Sequence, residues 1–266
     1  TVEYREALYI GYRYYQKAKV PVVFPFGYGL SYTTFSYTDL EVTEKQVSFL
    51  LKNTGDREGT EISQIYVSAP GTEVFVPERE LKGFAKTTLK AGEQRRVTIA
   101  LDDKAFRYWN VKTNRWEQEA GTYQISVGTS SQDMVLSGQI ELAGSGADAP
   151  YDRNRLPHYE SGQVQNVDEA EFAYLLGHPV PDGRPDISRN MTLGEMNHGR
   201  SPLGWLIWAV LNGMLNRSLK KGQPDLNLLF QLNMPLRGLA KMTSGMISMG
   251  MVDGIVLELK GFWFIG

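Results

Sequence analysis

Over residues 35–142 the apolar residues recur at every second position, and beyond Ser201 at every third or fourth. This change of period limits the chain to a β-rich body followed by a helical one. In the first part Val47, Phe49 and Leu51 alternate with polar residues, Ile62, Ile65/Tyr66 and Val67 mark a second run, Val97 and Ile99 a third, and Tyr123, Ile125 and Val127 a fourth. Turn-forming residues separate these runs at Asn53–Asp56, Ala69–Gly71, Lys90–Gly92 and Asn110–Asn114. Seven or more short strands at this spacing, with no helices between them, predict an antiparallel β-sandwich.

In the helical part Leu203, Leu206, Ile207, Val210, Leu211, Met214 and Leu215 fall on one apolar face. Ser201 stands where an N-cap belongs, and Pro202 follows at a position that tolerates proline. Further helices are expected over 225–233, 235–242 and 248–260, the last weakened by Gly250 and Gly254. Eight of the nine methionines lie beyond residue 190, so this part has its own core chemistry. It either closes a small core or lays a helical hairpin on a neighbouring domain or a second copy, forming a homodimer. Between the two parts, residues 143–200 hold small, polar and proline residues without a period, the pattern of a linker or meandering loop. Tyr151, Leu156 and Tyr159 are the residues that could pin it to the sandwich.

Composition removes several function classes. The formal net charge is −2, so the chain lacks the basic field that nucleic-acid binding requires. Without cysteine it has no disulfide framework and no thiolate nucleophile or metal ligand. No apolar run reaches the ~20 residues of a membrane span. Leu203–Leu215 carries Asn212, and Ile255–Ile265 carries Glu258 and Lys260. The chain opens on Thr1 in mid-motif, so it is expected to begin inside a longer protein whose targeting signal would lie upstream; a cytoplasmic rather than secreted location is expected.

The search for chemistry is mostly negative. Gly27-Tyr-Gly29 invites a phosphate-loop reading, but Tyr32 stands where G-x-G-x-x-G needs its third glycine, and a strand follows instead of a helix. His158, His178 and His198 are twenty residues apart, a spacing that suits no local metal site. Ser218-Leu-Lys-Lys221 matches S-x-x-K without its companion motifs. Glu78 and Glu80 alternate on a strand as solvated charges would. No catalytic residue, metal or cofactor is expected in this chain.

Longer motifs carry a resemblance. The stretch "YREALYIGYRYYQKAKVPVVFPFGYGLSYTTFSY" resembles the passage in glycoside hydrolase family 3 where the α/β-sandwich domain hands over to a fibronectin-III-like domain. The segments "LLKNTGDREGTEISQIYVSAP", "VPERELKGFAKTTLKAGEQRRVTIAL" and "EAGTYQISVGTSS" are similar to that domain in order and spacing. The tail "MPLRGLAKMTSGMISMGMVDGIVLEL" resembles a helical extension of some bacterial members. The resemblance implies the end of the α/β-sandwich domain over 1–34, an immunoglobulin/fibronectin-III-like sandwich over 35–142, a linker over 143–200 and a helical, Met-rich extension over 201–266.

The family implies a retaining exo-glycosidase, most often a β-glucosidase acting on terminal β-D-glucosyl residues. Its aspartate nucleophile sits in an N-terminal (β/α)8 barrel, typically before tryptophan, and its acid/base glutamate in the α/β-sandwich domain. Neither carries over, since this chain has no Asp-Trp dipeptide and no Lys-His pair. The expected role is therefore non-catalytic: to stabilise and orient the barrel and α/β domains of a parent enzyme. The alternative is a stand-alone fibronectin-like module that binds carbohydrate or protein, with Trp109 and Trp116 as its test positions.

"FPFGYGLSYTTF" is expected to be the joint, ahead of ordinary sandwich core or a ligand contact, with Pro25 stiffening the chain and Gly27 and Gly29 permitting turns. Phe24, Phe26, Tyr28, Leu30 and Tyr32 alternate along it and are expected to meet the neighbouring domain, as are Glu80 and Phe84 of "ELKGF". Tyr123 is expected to pin nearby backbone through its hydroxyl, as a tyrosine corner does.

Overall fold

A computed structural model describes residues 2–71, 73–181, 183 and 185–262. The chain divides into two compact units, Val2–Val180 and Pro181–Gly266.

The first unit opens with helix α1 (Tyr12–Lys17) and continues into nine strands: β1 (Phe35–Val42), β2 (Gln46–Asn53), β3 (Gly59–Ser68), β4 (Glu80–Leu89), β5 (Gln94–Ala100), β6 (Tyr108–Asn110), β7 (Arg115–Glu117), β8 (Gly121–Gly128) and β9 (Met134–Leu142). They pair antiparallel throughout, as a three-stranded sheet β1-β2-β5, a four-stranded sheet β4-β3-β8-β9 and the hairpin β6-β7. This is the sandwich that the period of two predicts. Val47, Phe49 and Leu51 of one sheet and Ile65, Ile125 and Val127 of the other are buried in a common core. Their burial removes alternate side chains from water at about 25 cal/mol per Å² of apolar surface.

Alternation breaks at Ile65-Tyr66-Val67, three consecutive buried residues. The cause is that β3 is covered on both faces: Ile65 and Val67 lie in the sandwich core, whereas Tyr66 packs against Tyr12 of α1 with ring centroids 6.1 Å apart. Opposite, β4 carries a bulge at Lys82, between the pairs Ile65–Gly83 and Tyr66–Leu81. The sheets approach closely here, since a Cβ on Gly83 would lie 2.7 Å from the Ile99 side chain. The Tyr123 hydroxyl is shared between the carbonyls of Phe106 and Glu119, 3.1 Å from each, and so ties β8 to the preceding corner.

The stretch expected as linker or meandering loop over 143–200 is built differently. It carries α2 (Pro157–Ser161) and α3 (Glu169–Leu176), together with short 3-10 turns at Arg153–Arg155 and Val164–Asn166. Asp168 caps α3 by accepting from the Glu171 N–H, and Gly177 ends it in the left-handed region. Leu156, Tyr159, Val164, Val167 and Phe172 form a second core with Tyr9 and Phe75. Phe75 is its hub, stacked on Tyr151 at 5.0 Å and on Tyr159 at 5.3 Å. The Tyr159 hydroxyl donates to the Arg5 carbonyl at 2.7 Å. Thus Tyr9 of the N-terminal segment, 1% exposed, is buried by residues some 150 positions later.

The second unit holds α4 (Pro202–Lys220), α5 (Leu226–Leu232), α6 (Leu236–Met242) and α7 (Met249–Leu259), with a 3-10 turn at Leu193–His198. Each of α4, α5 and α7 starts on a side-chain cap: Ser201, Asp225 and Ser248. Met191, Met196, Leu236, Val252, Val256 and Leu259 form its core. The apolar face of α4 is not all core-facing. Leu203, Leu206, Ile207, Val210 and Met214 are exposed, whereas Leu211 and Leu215 are half-buried.

Candidate interdomain surface

The joint between α1 and β1 is held from beneath and bare on top. Gln64, 3% exposed on β3, donates from Nε2 to the carbonyls of Gly27 at 3.1 Å and Thr129 at 2.8 Å. Its amide fills the space beside Gly27, whose φ is +81°; a Cβ there would lie 2.1 Å from Gln64 Oε1. The Phe26 carbonyl accepts from the Ser131 N–H at 2.8 Å. Phe26 stacks on Tyr12 of α1 with ring centroids 4.8 Å apart, and the Tyr12 hydroxyl accepts from the Leu81 N–H at 2.8 Å. Three separate parts of the unit, at Gln64, Ser131 and Tyr12, therefore hold the joint.

Its apolar side chains nevertheless face outward. Phe24 is 69% exposed, Phe26 and Tyr28 each 49%, Leu30 90% and Tyr32 92%. Phe24 and Tyr28 stack only on each other, 5.3 Å apart. Phe84 on β4 is 67% exposed. Glu80 joins the α1 side of this surface, paired with Arg13 and with Lys82 at 3.1 Å each. Glu78 lies just before β4, so it does not alternate with Glu80 along a strand as expected, and it pairs with Lys19.

Buried polar atoms mark the same region. Gln16 is 8% exposed and donates to the Ser131 carbonyl at 2.5 Å, leaving its Oε1 without a partner. Arg13 Nε and Arg79 Nε are buried and unpartnered as well. Such groups cost about 1–3 kcal/mol each when left unsatisfied, and all three lie close to the joint. Beside them a cavity of about 200 Å³ opens between Tyr12, Tyr15, Gln16, Phe24 and Phe26. Sequence reasoning missed Gln16 and Arg79, because nothing in "RYYQKA" or "PERE" distinguishes a buried polar residue from a solvated one.

The perturbed titrations here have structural causes. Burial pushes the Tyr66 hydroxyl well above the usual phenol range, with the neighbouring Tyr12 adding to it, and Tyr66 donates to Gln64 Oε1 at 2.7 Å. Burial likewise raises Glu61, which accepts from the Tyr37 hydroxyl at 2.8 Å. Among the described residues, no group of three His, Asp or Glu side chains is placed to hold a metal ion.

Comparison with known proteins places these features in context. A family model described as a fibronectin type III-like domain matches residues 61–131. The thermostable β-glucosidase B of Acetivibrio thermocellus is 33% identical over 267 residues, a match covering 97% of this chain and 31% of that protein. The exo-α-(1→6)-L-arabinopyranosidase of Bifidobacterium breve is 44% identical over 154 residues, covering 56% of this chain and 20% of that protein. The crystal structure of a GH3 β-glucosidase from Bifidobacterium adolescentis superposes with a TM-score of 0.51 at 37% identity, covering 63% of this chain and 24% of that one. The chain spans less than a third of the length of each. The first match runs into the helical unit, so that unit too has a counterpart in a β-glucosidase.

Proposed function

Because this chain corresponds to the C-terminal portion of glycoside hydrolase family 3 β-glucosidases, we propose that it stabilises and orients the catalytic domains of a longer enzyme without performing catalysis itself. The observation that carries the reading is the joint, a backbone fixed by Gln64, Ser131 and Tyr12 beneath five exposed apolar side chains. A surface so rigid and so apolar fits a permanent neighbour. Phe24, Phe26, Tyr28, Leu30 and Tyr32 would pack against that neighbour, with Glu80 and Phe84 at the edge. The barrel and the α/β domain of a longer enzyme, as the family resemblance implies them, would be its partners. Of the reactions in the relatives' names, β-glucoside hydrolysis is the one proposed for the parent, in which this chain contributes position and no reacting group. The test is aryl β-glucoside hydrolysis. This chain alone should give no turnover and the longer polypeptide should; turnover by this chain, lost on mutating its carboxylates, overturns the reading.

One further feature favours a second partner. Leu203, Leu206, Ile207, Val210 and Met214 form a bare arc on α4, and no Asp or Glu lies on that helix. We infer that this arc pairs with the same arc of a second copy, giving a homodimer through the helical unit. Light scattering should find a dimer mass that falls to the monomer mass in the Leu206→Glu/Val210→Glu variant; a monomeric intact chain refutes it.

A further inference from the structure

A cavity of about 510 Å³ opens within the Val2–Val180 unit, lined in part by the β6-β7 hairpin. Its volume lies in the range of small-molecule pockets. Phe106 and Tyr123 of the sandwich core line its floor, and Trp109 and Trp116 stand at its mouth. The two indoles meet edge to face across the β6-β7 hairpin, ring centroids 5.7 Å apart, and each remains almost half exposed. Lys104 Nζ sits 5.3 Å over the Trp116 ring.

The walls are held in place before any ligand arrives. Glu119, 1% exposed, accepts from the backbone N–H groups of Gly71 at 3.0 Å, Glu73 at 2.5 Å and Val74 at 2.9 Å, which fixes the loop forming one wall. The Tyr151 hydroxyl accepts from the Phe75 N–H at 3.2 Å on the same loop. Tyr123 is locked by its two carbonyl bonds. A preformed pocket with aromatic faces and a few convergent polar groups has the makings of a ligand site.

We propose that this cavity is a non-catalytic saccharide-binding site, taking a β-linked glucose disaccharide or a terminal sugar of a longer chain. A pyranose has an apolar C–H face that stacks on indole, and hydroxyls that accept from ammonium and guanidinium groups. Trp109 and Trp116 supply the first, and Lys104 and Arg107 at the rim supply the second. The site binds without cleaving, because both carboxylates in its lining are committed. Glu119 is consumed by three backbone donors, and Glu80 is paired with Arg13 and Lys82. A glycosidase needs two carboxyl groups free to face the sugar. The cavity reaches Arg13, Glu80 and Lys82 at the edge of the interdomain surface, so the proposal rests on the scaffold reading leaving the Trp109–Trp116 end open.

The experiment is a titration of the intact chain with cellobiose at millimolar concentration, followed by the indole N–H signals in ¹H–¹⁵N NMR. The chain has five tryptophans, and the expected result is saturable shifts of two of them, Trp109 and Trp116. Lys104→Ala, an exposed substitution that leaves the core intact, should weaken binding several-fold, and Trp116→Phe should retain weakened binding through its remaining ring. Glycerol at equal concentration should shift neither signal. The proposal is overturned if no indole shifts, if all five shift alike, or if Lys104→Ala and Trp116→Phe bind as tightly as the unaltered chain.

Discussion

Gly27→Ala is the substitution whose cost follows most directly from the geometry of the joint. Two terms contribute. At φ +81° an L-residue costs about 1–2 kcal/mol relative to glycine. The new Cβ would also lie 2.1 Å from Gln64 Oε1, so the Gln64 amide must move. Being 3% exposed and bonded to the Gly27 and Thr129 carbonyls, it cannot move without breaking one or both bonds, about 1 kcal/mol each. The expected loss is roughly 3 kcal/mol, which moves the urea midpoint of this unit by about 1–2 M at an ordinary m-value. The assay is equilibrium urea unfolding followed by the β-sheet circular dichroism signal. Gly29→Ala is the control, because nothing lies within 4 Å of its added Cβ; it should change stability by less than about 0.5 kcal/mol. In a Gln64→Ala background the collision disappears and Gly27→Ala should retain only its backbone term. Equal stabilities for Gly27→Ala and Gly29→Ala would refute the reasoning.

Two other outcomes test the interior. Phe75→Ala removes the hub on which Tyr9, Tyr151 and Tyr159 pack and should destabilise the unit by about 3–5 kcal/mol; limited proteolysis should then cleave first within residues 143–180, and unchanged protection would contradict the second core. Burial raises the folded-state pKa of Glu61 above its unfolded value, so the folded state holds its proton in a window where the unfolded chain has lost it. Stability therefore falls as pH rises from the unfolded carboxylate pKa through the raised folded one. Glu61→Gln, which can still accept from Tyr37, should flatten that fall and be neutral to stabilising at pH 7, as read from thermal melts across pH 4–7.

The sandwich was legible because alternation is a local signal. Val47, Phe49 and Leu51 declare their face within five residues, and a pleat offers them one core. Where a strand is covered on both faces, the signal blurs: Ile65 and Val67 face the sandwich core while Tyr66 between them is buried against Tyr12 and Gln64. The segment 151–172 was harder for a different reason. Leu156, Tyr159, Val164, Val167 and Phe172 are supplied by single turns of helix and 3-10 helix, so their spacing follows no period, and their partners Tyr9 and Phe75 are remote in sequence. On α4 the periodicity was real but silent about coverage. Seven apolar residues share a face by spacing, yet the neighbouring helices are too few to cover Leu203, Leu206, Ile207, Val210 and Met214. At the joint, the aromatic alternation can be read in "FPFGYGLSY", whereas the buried Gln64, Gln16 and Arg79 beneath it depend on contacts between residues far apart in the chain.

The central claim is that the aromatic face of the joint belongs against the catalytic domains. Hydroxyl-radical footprinting of Phe24, Phe26, Tyr28, Leu30 and Tyr32 tests it, comparing this chain with the longer polypeptide that carries it. All five should oxidise readily in the isolated chain, as their exposure requires, and Leu30 and Tyr32 should be protected at least several-fold in the longer protein. Equal oxidation rates in the two would contradict the account.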